Sequence, residues 1–456
     1  MNNDDLKRYS VIVGEGSGCF FQPMTADYTY ILTAKHLFFD EEEDERGQTQ
    51  KKEYPDNTPV TITKNIQTAN GWIEEQIPFT LVKGTTYFPH KEADVAILKI
   101  TPPQTNFDQI VASELLNTST DYDLCGFPNT LGGNNAGEKY TTHRIERLIA
   151  SANYSHSAQL FGTLNQVNIE GMSGCGVLKV VGNYISIIGI QSKMASSLYP
   201  AGQIGFVPIK HINEIINYNE YRQNLERLYP PFLKSFSFLK NEAFNLNAGF
   251  GNQNIEHVKN FLKNKTNEVI NSPLTPFGIK NLFENRLLLY KQGNETLQSK
   301  YIWLIWLEFL TILNLLREGN LSEESVKDGF NNIRLICSDT DEDWSSELDN
   351  IIYSDFKGLK RNGIVIVGCK KPPINDFYIL DRKIPMINQA VRSHNRELLQ
   401  IDSGMNFPLS EYKFIHVEYF KNHAIVSKRA EYAEILDDVT LLDKLKAEYT
   451  ILSTYE

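Results

Sequence analysis

Short apolar runs, interrupted by glycine, asparagine and aspartate, follow one another through the first half of the chain. Runs of this length with turn residues between them are typical of paired β-strands. The pattern predicts an all-β domain over residues 1–221, closed by a helix over Lys210–Tyr221. The predicted strands are Ser10–Val13, Cys19–Gln22, Tyr28–Thr33, 58–63, 77–83, 94–100, 143–151, 159–169 and Gly205–Ile209.

An acidic run, Asp40–Glu45, follows the third of these strands. A run of like charges is usually a solvated surface, so we expect an exposed loop here. Recruitment of a substrate by the same charges is the functional alternative.

Beyond residue 222 the apolar positions recur at helical spacing, and strand-like runs return near the C-terminus. The sequence predicts a mixed half of the protein, with a helical region over 222–350 and an α/β region over 351–456. The predicted helices are 254–264, 277–291, 297–318, Leu321–Ile336 and 429–447, and the predicted strands are Gly363–Cys369, Tyr412–Phe420 and Ala424–Ser427.

The most apolar of these segments, Tyr301–Leu316, raises the question of a membrane span. It is shorter than the ~20 apolar residues that a span requires, and it contains Glu308 and Asn314. We therefore predict a buried core helix and no membrane association.

Composition limits the remaining classes of function. A chain of 456 residues is too long for one ordinary core, so two or three domains are expected. The net charge of -11 argues against general nucleic-acid binding, which requires basic surface to neutralise phosphates. Apolar content of 41% is that of a globular protein.

The N-terminal residues and the cysteines indicate a compartment. Met1–Leu6 is polar and acidic, which does not match a signal peptide. The five cysteines lack the spacing of a disulfide or metal motif, so a reduced, cytoplasmic protein is expected. The sequence has no P-loop and no H-E-x-x-H motif, and we expect neither cofactor nor metal.

The candidate chemistry centres on Ser173, which lies between glycines in the segment G-M-S-G-C-G. A serine hydroxyl requires a histidine base and an orienting carboxylate to act as a nucleophile. His36, in T-A-K-H, and Asp94, in A-D-V-A-I-L, precede it in the chain. Each motif alone is weak, because a lone histidine is usually structural, but the three in this order form a specific pattern.

These segments resemble those of the chymotrypsin/trypsin-like serine proteases, and the resemblance covers roughly residues 8–215. It implies two six-stranded barrels, with His36, Asp94 and Ser173 meeting between them. The amides of Gly171 and Ser173 would form the oxyanion hole. Further segments that look like this family are Gly16–Phe21, Gly126–Pro128 and Gly189–Ser192.

The resemblance also implies a substrate pocket and marks two departures from the family. Val167, Ser192 and Met194 would line the pocket, which predicts cleavage after apolar or small residues. Met172 stands where secreted members have an aspartate, so activation by N-terminal trimming is not expected. Cys175 is interpreted as a small buried filler, with a redox switch as the alternative.

The C-terminal half resembles effector subunits of bacterial Lamassu-type (ABC-three-component) anti-phage systems. Gly363–Pro373 and Tyr412–Phe420 are the segments on which this comparison depends. It implies an SMC/Rad50-like ATPase partner, a small third subunit, and release or homo-oligomerisation of the effector on invasion.

The leading hypothesis is an intracellular serine endopeptidase whose C-terminal half holds it inactive until it is triggered. One alternative is a constitutively active housekeeping protease whose C-terminal half binds the protein substrate. Another is a catalytically silent trypsin-like scaffold. The C-terminal half is also open to a third interpretation, as a sensor of a small molecule such as a nucleotide second messenger.

Overall fold

The protein forms two compact units, Met1–Pro231 and Phe232–Glu456, in a computed structural model of the chain. The division lies ten residues beyond the domain end predicted at residue 221. The structure describes residues 6–43, 49–104, 110–114, 121–131, 139–162, 169–181, 184–194, 202–317, 321–340, 344, 346–371 and 412–452.

The regular secondary structure described in the first unit is mainly β-strand, and the strands are numbered here in chain order. They are β1 (Ser10–Val13), β2 (Gly16–Phe21), β3 (Thr29–Thr33), β4 (Phe39–Glu43), β5 (Thr49–Glu53), β6 (Thr58–Thr68), β7 (Gly71–Leu81), β8 (Tyr87–Pro89), β9 (Ala96–Ile100), β10 (Ile110–Ala112), β11 (Asp123–Gly126), β12 (Thr141–Ala152), β13 (Ser155–Leu160), β14 (Gly176–Val181), β15 (Tyr184–Met194) and β16 (Gln203–Pro208).

Two large sheets hold most of these strands. The first is antiparallel, in the order β7-β6-β1-β2-β3-β9-β8. The second has the order β10-β15-β14-β11-β12-β13-β16, and β16 also pairs with β15. That last pairing closes a ring of six antiparallel strands, to which β10 adds in parallel. The predicted β-barrel character of this half is confirmed at the level of these sheets.

The strands at the centre of the first sheet are buried on both faces. Every position of β2 and β3 is buried, which explains their continuous apolar runs. The hairpin of β6 and β7 extends beyond the predicted strands 58–63 and 77–83, through added positions that are mostly polar, such as Lys64, Gln67 and 74–76. Such positions carry no hydrophobic pattern for a sequence to reveal.

The acidic segment after β3 is a strand rather than the loop we expected. Asp40–Glu43 lies in β4, which pairs in antiparallel register with β5. Asp40 lies opposite Lys52 and Glu41 opposite Lys51, so opposite charges face each other across the hairpin. Cross-strand charge pairs stabilise a ribbon whose composition alone indicates a loop.

The helix predicted to close the first unit is α1 (Ile209–Asn217), which buries four isoleucines. The chain after α1 continues to pack on the same core. Leu225 and Leu228 belong to the main apolar cluster of the first unit, and the hydroxyl of Tyr30 donates to the carbonyl of Glu226 over 2.9 Å.

The second unit begins with helices and ends in a small α/β arrangement. Its helices are α2 (Asn252–Ile270), α3 (Pro276–Phe283), α4 (Lys300–Leu316), α5 (Glu323–Gly329), α6 (Leu348–Ile352), α7 (Arg429–Ala433) and α8 (Asp438–Glu448). A parallel sheet of three strands has the order β17 (Ile333–Cys337), β18 (Ile364–Gly368) and β19 (Lys413–His416).

Helix α4 is the core helix that the sequence predicted. Trp303 and Trp306 are fully buried, and the indole N–H of Trp303 donates to the carbonyl of Leu297 over 2.8 Å. Glu308 is buried with them and accepts from the main chain of Phe244. Within the described residues, no helix is long and apolar enough to cross a bilayer.

Five predictions for the second unit are wrong in detail. The helix predicted over 277–291 ends at Phe283 and is followed by a 3-10 helix, and the strand predicted over Tyr412–Phe420 ends at His416, where another 3-10 helix begins. The helix predicted over Leu321–Ile336 ends at Gly329, and its second half is the buried strand β17. The strand predicted over Ala424–Ser427 is absent, because a 3-10 helix occupies Val426–Lys428. The helix predicted over 429–447 is interrupted between α7 and α8. Short apolar runs suit a strand or a helix equally, so packing decides between them.

All five cysteines are buried free thiols. Cys19, Cys125 and Cys175 lie in the first unit, and Cys337 and Cys369 lie in the second.

Candidate active site

His36 and Asp94 form a two-point contact in the first unit. The Nδ1 atom of His36 lies 2.7 Å from Oδ2 of Asp94, and the main-chain N–H of His36 donates to Oδ1 over 2.9 Å. The buried strand β3 ends at Thr33, and a 3-10 helix over Lys35–Phe38 then presents His36. Both side chains are about one-third exposed, at 34% and 32%, so the pair is accessible from solvent.

A tight turn before β9 carries Asp94. The main-chain N–H of His90 donates to the carbonyl of Val95 over 2.9 Å, and both Ala93 and Val95 are buried. The imidazole of His90 lies inside this turn and accepts from the main-chain N–H groups of Glu92 and Ala93.

Ser173 lies at the centre of a turn between two glycines with positive φ. Gly171 has a φ of 92° and Gly174 a φ of 91°, a region that side chains rarely allow. The N–H of Gly174 donates to the carbonyl of Gln191 over 2.8 Å, and the carbonyl of Ser173 accepts from Ser17 over 2.7 Å. These bonds fix the turn between the start of β2 and strand β15.

The same turn packs directly against the segment that presents His36. A Cβ atom on Gly174 would lie 2.1 Å from the carbonyl oxygen of Ser17 and 2.3 Å from Oγ1 of Thr33. A Cβ atom on Gly16 would lie 2.6 Å from the side chain of Leu37 and 2.7 Å from the carbonyl oxygen of Ser173. The structure therefore places the Ser173 turn beside the segment Thr33–Leu37, which contains His36.

The turn also leaves two main-chain donors uncommitted. Within the part of the chain that the structure describes, the N–H groups of Gly171 and Ser173 donate no hydrogen bond. The carbonyl of Gly171 accepts from the hydroxyl of Ser17 over 2.9 Å. This bond holds the main chain of Gly171 in place, while the N–H of Gly171 itself stays available. Two such donors beside a hydroxyl can bind an anionic oxygen.

The predicted pocket residues are only partly described. Ser192 is buried, and its hydroxyl lies 3.5 Å from the carbonyl of Gly205. Met194 ends strand β15, and Val167 lies outside the described residues. The preference for apolar or small residues stays a prediction.

Phe206 is a residue of this region that the sequence did not reveal. It is fully buried opposite Gln191 on β15, and its ring stacks on His156 at 5.7 Å. A Cβ atom on Gly189 would lie 2.6 Å from the Phe206 ring, so the ring closely covers this part of β15.

Met172 and Cys175, the two departures from the protease pattern, are both fully buried. Met172 belongs to an apolar cluster of the first unit and cannot form an ion pair there. Burial raises the pKa of the Cys175 thiol well above its usual value, so the reactive thiolate is disfavoured. This environment favours the interpretation of Cys175 as a filler.

A second group of polar residues near Asp94 was also missed from the sequence. His90 is 3% exposed, and its Nε2 atom lies 2.9 Å from Oε2 of Glu214 on α1. Nδ1 of His211 lies 2.9 Å from the same oxygen. Burial raises the pKa of Glu214, but the two histidine donors outweigh this effect and hold the pKa below its usual value. A histidine four positions before Asp94 was the available signal.

Two histidines and a glutamate have the composition of a metal site, and their ligand atoms lie within 4.8 Å of one another. The hydrogen bonds of His90 argue against that use. Its Nδ1 atom accepts from two main-chain N–H groups and so carries no proton. The ring proton is therefore on Nε2, which donates to Glu214 and offers no lone pair to a metal.

The fold and the site define a class of protein. It combines a β-barrel unit, which carries a His–Asp pair beside a glycine-flanked serine, with a second unit of helices and a parallel sheet. The C-terminal region, residues 206–426, matches the family described as CTD4, C-terminal domain 4 of the ABC-three component (ABC-3C) systems. The match covers a little under half of the chain and begins within β16, so it includes α1. No curated protein matches the chain.

Proposed function

We propose that the first unit is a serine endopeptidase of the trypsin-like kind. The contact between His36 and Asp94, with the Ser173 turn packed against the same segment, is the observation that carries the proposal. The closed ring of six strands supports the double-barrel interpretation, since a barrel of this size is what the resemblance implies for each half.

In the proposed mechanism Ser173 Oγ attacks the carbonyl carbon of a peptide bond. His36 accepts the hydroxyl proton at Nε2 and then returns it to the leaving amine. Asp94 accepts from Nδ1, which fixes the tautomer and stabilises the imidazolium that forms.

The negative oxygen of the tetrahedral intermediate would bind to the uncommitted N–H groups of Gly171 and Ser173. Each donor of this kind stabilises a transition state by about 3 kcal/mol. Two observations on Gly171 support this role. Its positive φ is a conformation that favours glycine, and a Cβ atom at this position would collide with Asn129.

The match to CTD4 supports a role for the whole chain in an ABC-three-component defence system of bacteria. In that role the protease is the effector, an SMC/Rad50-like ATPase and a small third subunit are its partners, and the second unit holds the active site inactive until invasion. The proposed substrate is a protein that has an apolar or small residue directly before the scissile peptide bond.

The test is covalent labelling of the purified full chain with a fluorophosphonate probe, alone and with its partner subunits. We expect labelling that is lost in Ser173→Ala and kept in Ser155→Ala, a matched serine on β13. Labelling that appears only with partners would support a restrained effector. Labelling of the free chain at full rate would favour a constitutive protease.

A second variant tests the His–Asp pair. In Asp94→Asn the side-chain oxygen can still accept from the main chain of His36, but the negatively charged carboxylate oxygen beside Nδ1 of His36 is lost. We expect kcat to fall roughly 10⁴-fold with little change in stability. Equal labelling of wild type and Ser173→Ala under every condition would contradict an enzyme and favour a binding scaffold.

A further inference from the structure

We propose that His90 is the residue that positions Asp94 against His36, and that Glu214 on α1 holds His90 in that orientation. Among the described residues, the imidazole of His90 forms its hydrogen bonds with the Asp94 turn and Glu214 and packs against three aromatic rings, none of which belongs to the serine turn, so the proposed role is positioning. The expected effect on the catalytic rate rests on the proposed function. The structural part of the proposal concerns only the hydrogen bond between His36 and Asp94.

The first step is the turn that contains Asp94. The Nδ1 atom of His90 accepts from Ala93 over 2.7 Å and from Glu92 over 3.1 Å. Ala93 is 1% exposed, so its N–H would be buried without a partner if the imidazole were absent. An unpaired buried donor is costly, and the turn would have to rearrange to satisfy it. Asp94 is the next residue and would move with the turn.

The second step is the link between this turn and the segment of His36. The ammonium group of Lys35 donates to the carbonyl of His90 over 2.9 Å and to that of Lys91 over 3.3 Å. Lys35 directly precedes His36, so the turn of Asp94 is tied to the neighbours of both partners. A shift of the His90 main chain would therefore change the distance between His36 and Asp94.

The third step is the orientation of the His90 ring. Its protonated Nε2 donates to Glu214, which also accepts from His211. Three rings pack around it, with centroid distances of 5.8 Å to Tyr154 and 5.6 Å to both Tyr218 and His211. The carboxylate fixes which ring nitrogen faces the turn, and the aromatic contacts fix its plane.

The helix that carries Glu214, α1, lies in the region that matches CTD4. Glu214 and His211 belong to the region that matches CTD4, whereas His90 and Asp94 precede it. All of these contacts lie within Met1–Pro231. One carboxylate on the first helix of the matched region therefore supports the His36–Asp94 pair, and a displacement of α1 would weaken that pair.

Two substitutions of His90 distinguish the roles of its two ring nitrogens, Nδ1 and Nε2. In His90→Asn the amide oxygen lies near the place of Nδ1 and can accept from the turn, but it does not reach Glu214. In His90→Gln the amide group lies near the place of Nε2 and can donate to Glu214, but it does not satisfy the turn. The two variants have similar polarity, so a difference between them reports on the turn.

The readout is the low-field proton resonance of the His36 Nδ1–H, measured on the full chain with ¹⁵N-labelled histidine in a Ser173→Ala background. We expect it to persist in His90→Asn and to disappear in His90→Gln. In the chain that retains Ser173, kcat should fall about 10²-fold in His90→Gln with KM unchanged. In His90→Asn, kcat should stay within about threefold of the wild-type value. Because the resonance requires no activity, failure of the proposed function leaves this test intact.

Glu214→Ala provides a second variant if His90→Gln does not fold. We expect it to broaden or shift the same resonance, whereas Glu220→Ala, which removes the exposed ion pair with Lys91, should not. An unchanged resonance in His90→Gln or in Glu214→Ala would overturn the proposal. Equal loss in His90→Asn and His90→Gln would reduce His90 to a general packing role and would also overturn it.

Discussion

The serine turn depends on what Gly174 lacks. A Cβ atom there would meet three main-chain or hydroxyl atoms at 2.1 to 3.0 Å, and none of them belongs to a flexible side chain that could move away. The φ of 91° adds conformational strain for any other residue. The glycine is therefore required by the packing of the turn on β2 and β3, whatever the role of Ser173.

We predict that Gly174→Ala lowers the free energy of unfolding of the first unit by at least about 3 kcal/mol. Gly162→Ala is the matched control, because Gly162 has a φ of 88° but no atom within 4 Å of the position that a Cβ atom would take. Conformational strain alone should cost the control about 1–2 kcal/mol. Urea unfolding of both variants measures the difference, and equal losses would contradict the packing argument.

The environment of His90 gives its imidazole a pH dependence. Burial lowers the pKa of His90 below its ordinary value of 6.5, with the carboxylate of Glu214 acting in the opposite direction. Below about pH 6.5 the unfolded chain binds a proton at His90 that the folded chain does not. This contribution to stability is therefore complete above about pH 6.5, decreases as the pH falls below that value, and levels off below the lowered pKa of the folded state.

We predict that the free energy of unfolding falls less between pH 7.5 and about pH 5.5 in His90→Asn than in wild type. His143 and His156 also have lowered pKa values, but they titrate in both proteins and cancel in the comparison. Identical pH slopes would show that His90 does not titrate differently on folding. The titratable and charged groups around His90 are Lys35, Glu92, Tyr154, His211, Glu214 and Tyr218.

At the scale of elements, the sequence does not distinguish strand from helix in short apolar segments. Ile333–Cys337 and Ala424–Ser427 are both short apolar runs, yet only the first pairs as a strand with a neighbour, and a 3-10 helix begins within the second. The capping of α5 shows why a boundary lies where it does. Ser322 accepts from Ser325, and the Ser325 hydroxyl accepts from the main chain of Ser322, which defines the start of the helix.

We predict that Ser322→Ala lowers the free energy of unfolding of the second unit by about 1 kcal/mol. Ser299→Ala is the control, since Ser299 is the residue before α4 but its side chain caps nothing. Its substitution should change stability by less than about 0.5 kcal/mol. Chemical unfolding followed by tryptophan fluorescence measures both, because Trp303 and Trp306 lie in this unit.

At the scale of the molecule, the end of the first unit lies beyond α1. Leu225 and Leu228 are buried in its core, and the main-chain N–H of Glu226 donates to the hydroxyl of Tyr30 over 2.7 Å. A fragment that ends at residue 221 would expose the apolar surface that these leucines cover.

We predict that the fragment 1–231 unfolds in one cooperative transition, whereas the fragment 1–221 is less stable by roughly 4 kcal/mol. The estimate follows from about 2 kcal/mol for each buried leucine. Thermal unfolding by circular dichroism compares the two fragments. Equal midpoints would show that residues 222–231 contribute nothing to the first unit.

The sequence predicted the features that periodicity and motif order encode. It separated the β-rich half from the helical half, and it selected His36 and Asp94, which the structure brings within 2.7 Å. It did not reveal the partners of His90, because a contact between residues 124 positions apart has no local pattern. It also placed the end of the first unit at residue 221, because the segment after α1 has no periodicity that reveals its packing.

The burial of all five cysteines has a practical consequence for following the dynamics of the protein. A buried thiol reacts with an alkylating reagent only when the structure around it opens. Three thiols report on the first unit and two on the second. The pattern of alkylation, measured by mass spectrometry on the wild-type chain, therefore reports on the opening of each half separately, with and without the proposed partner subunits.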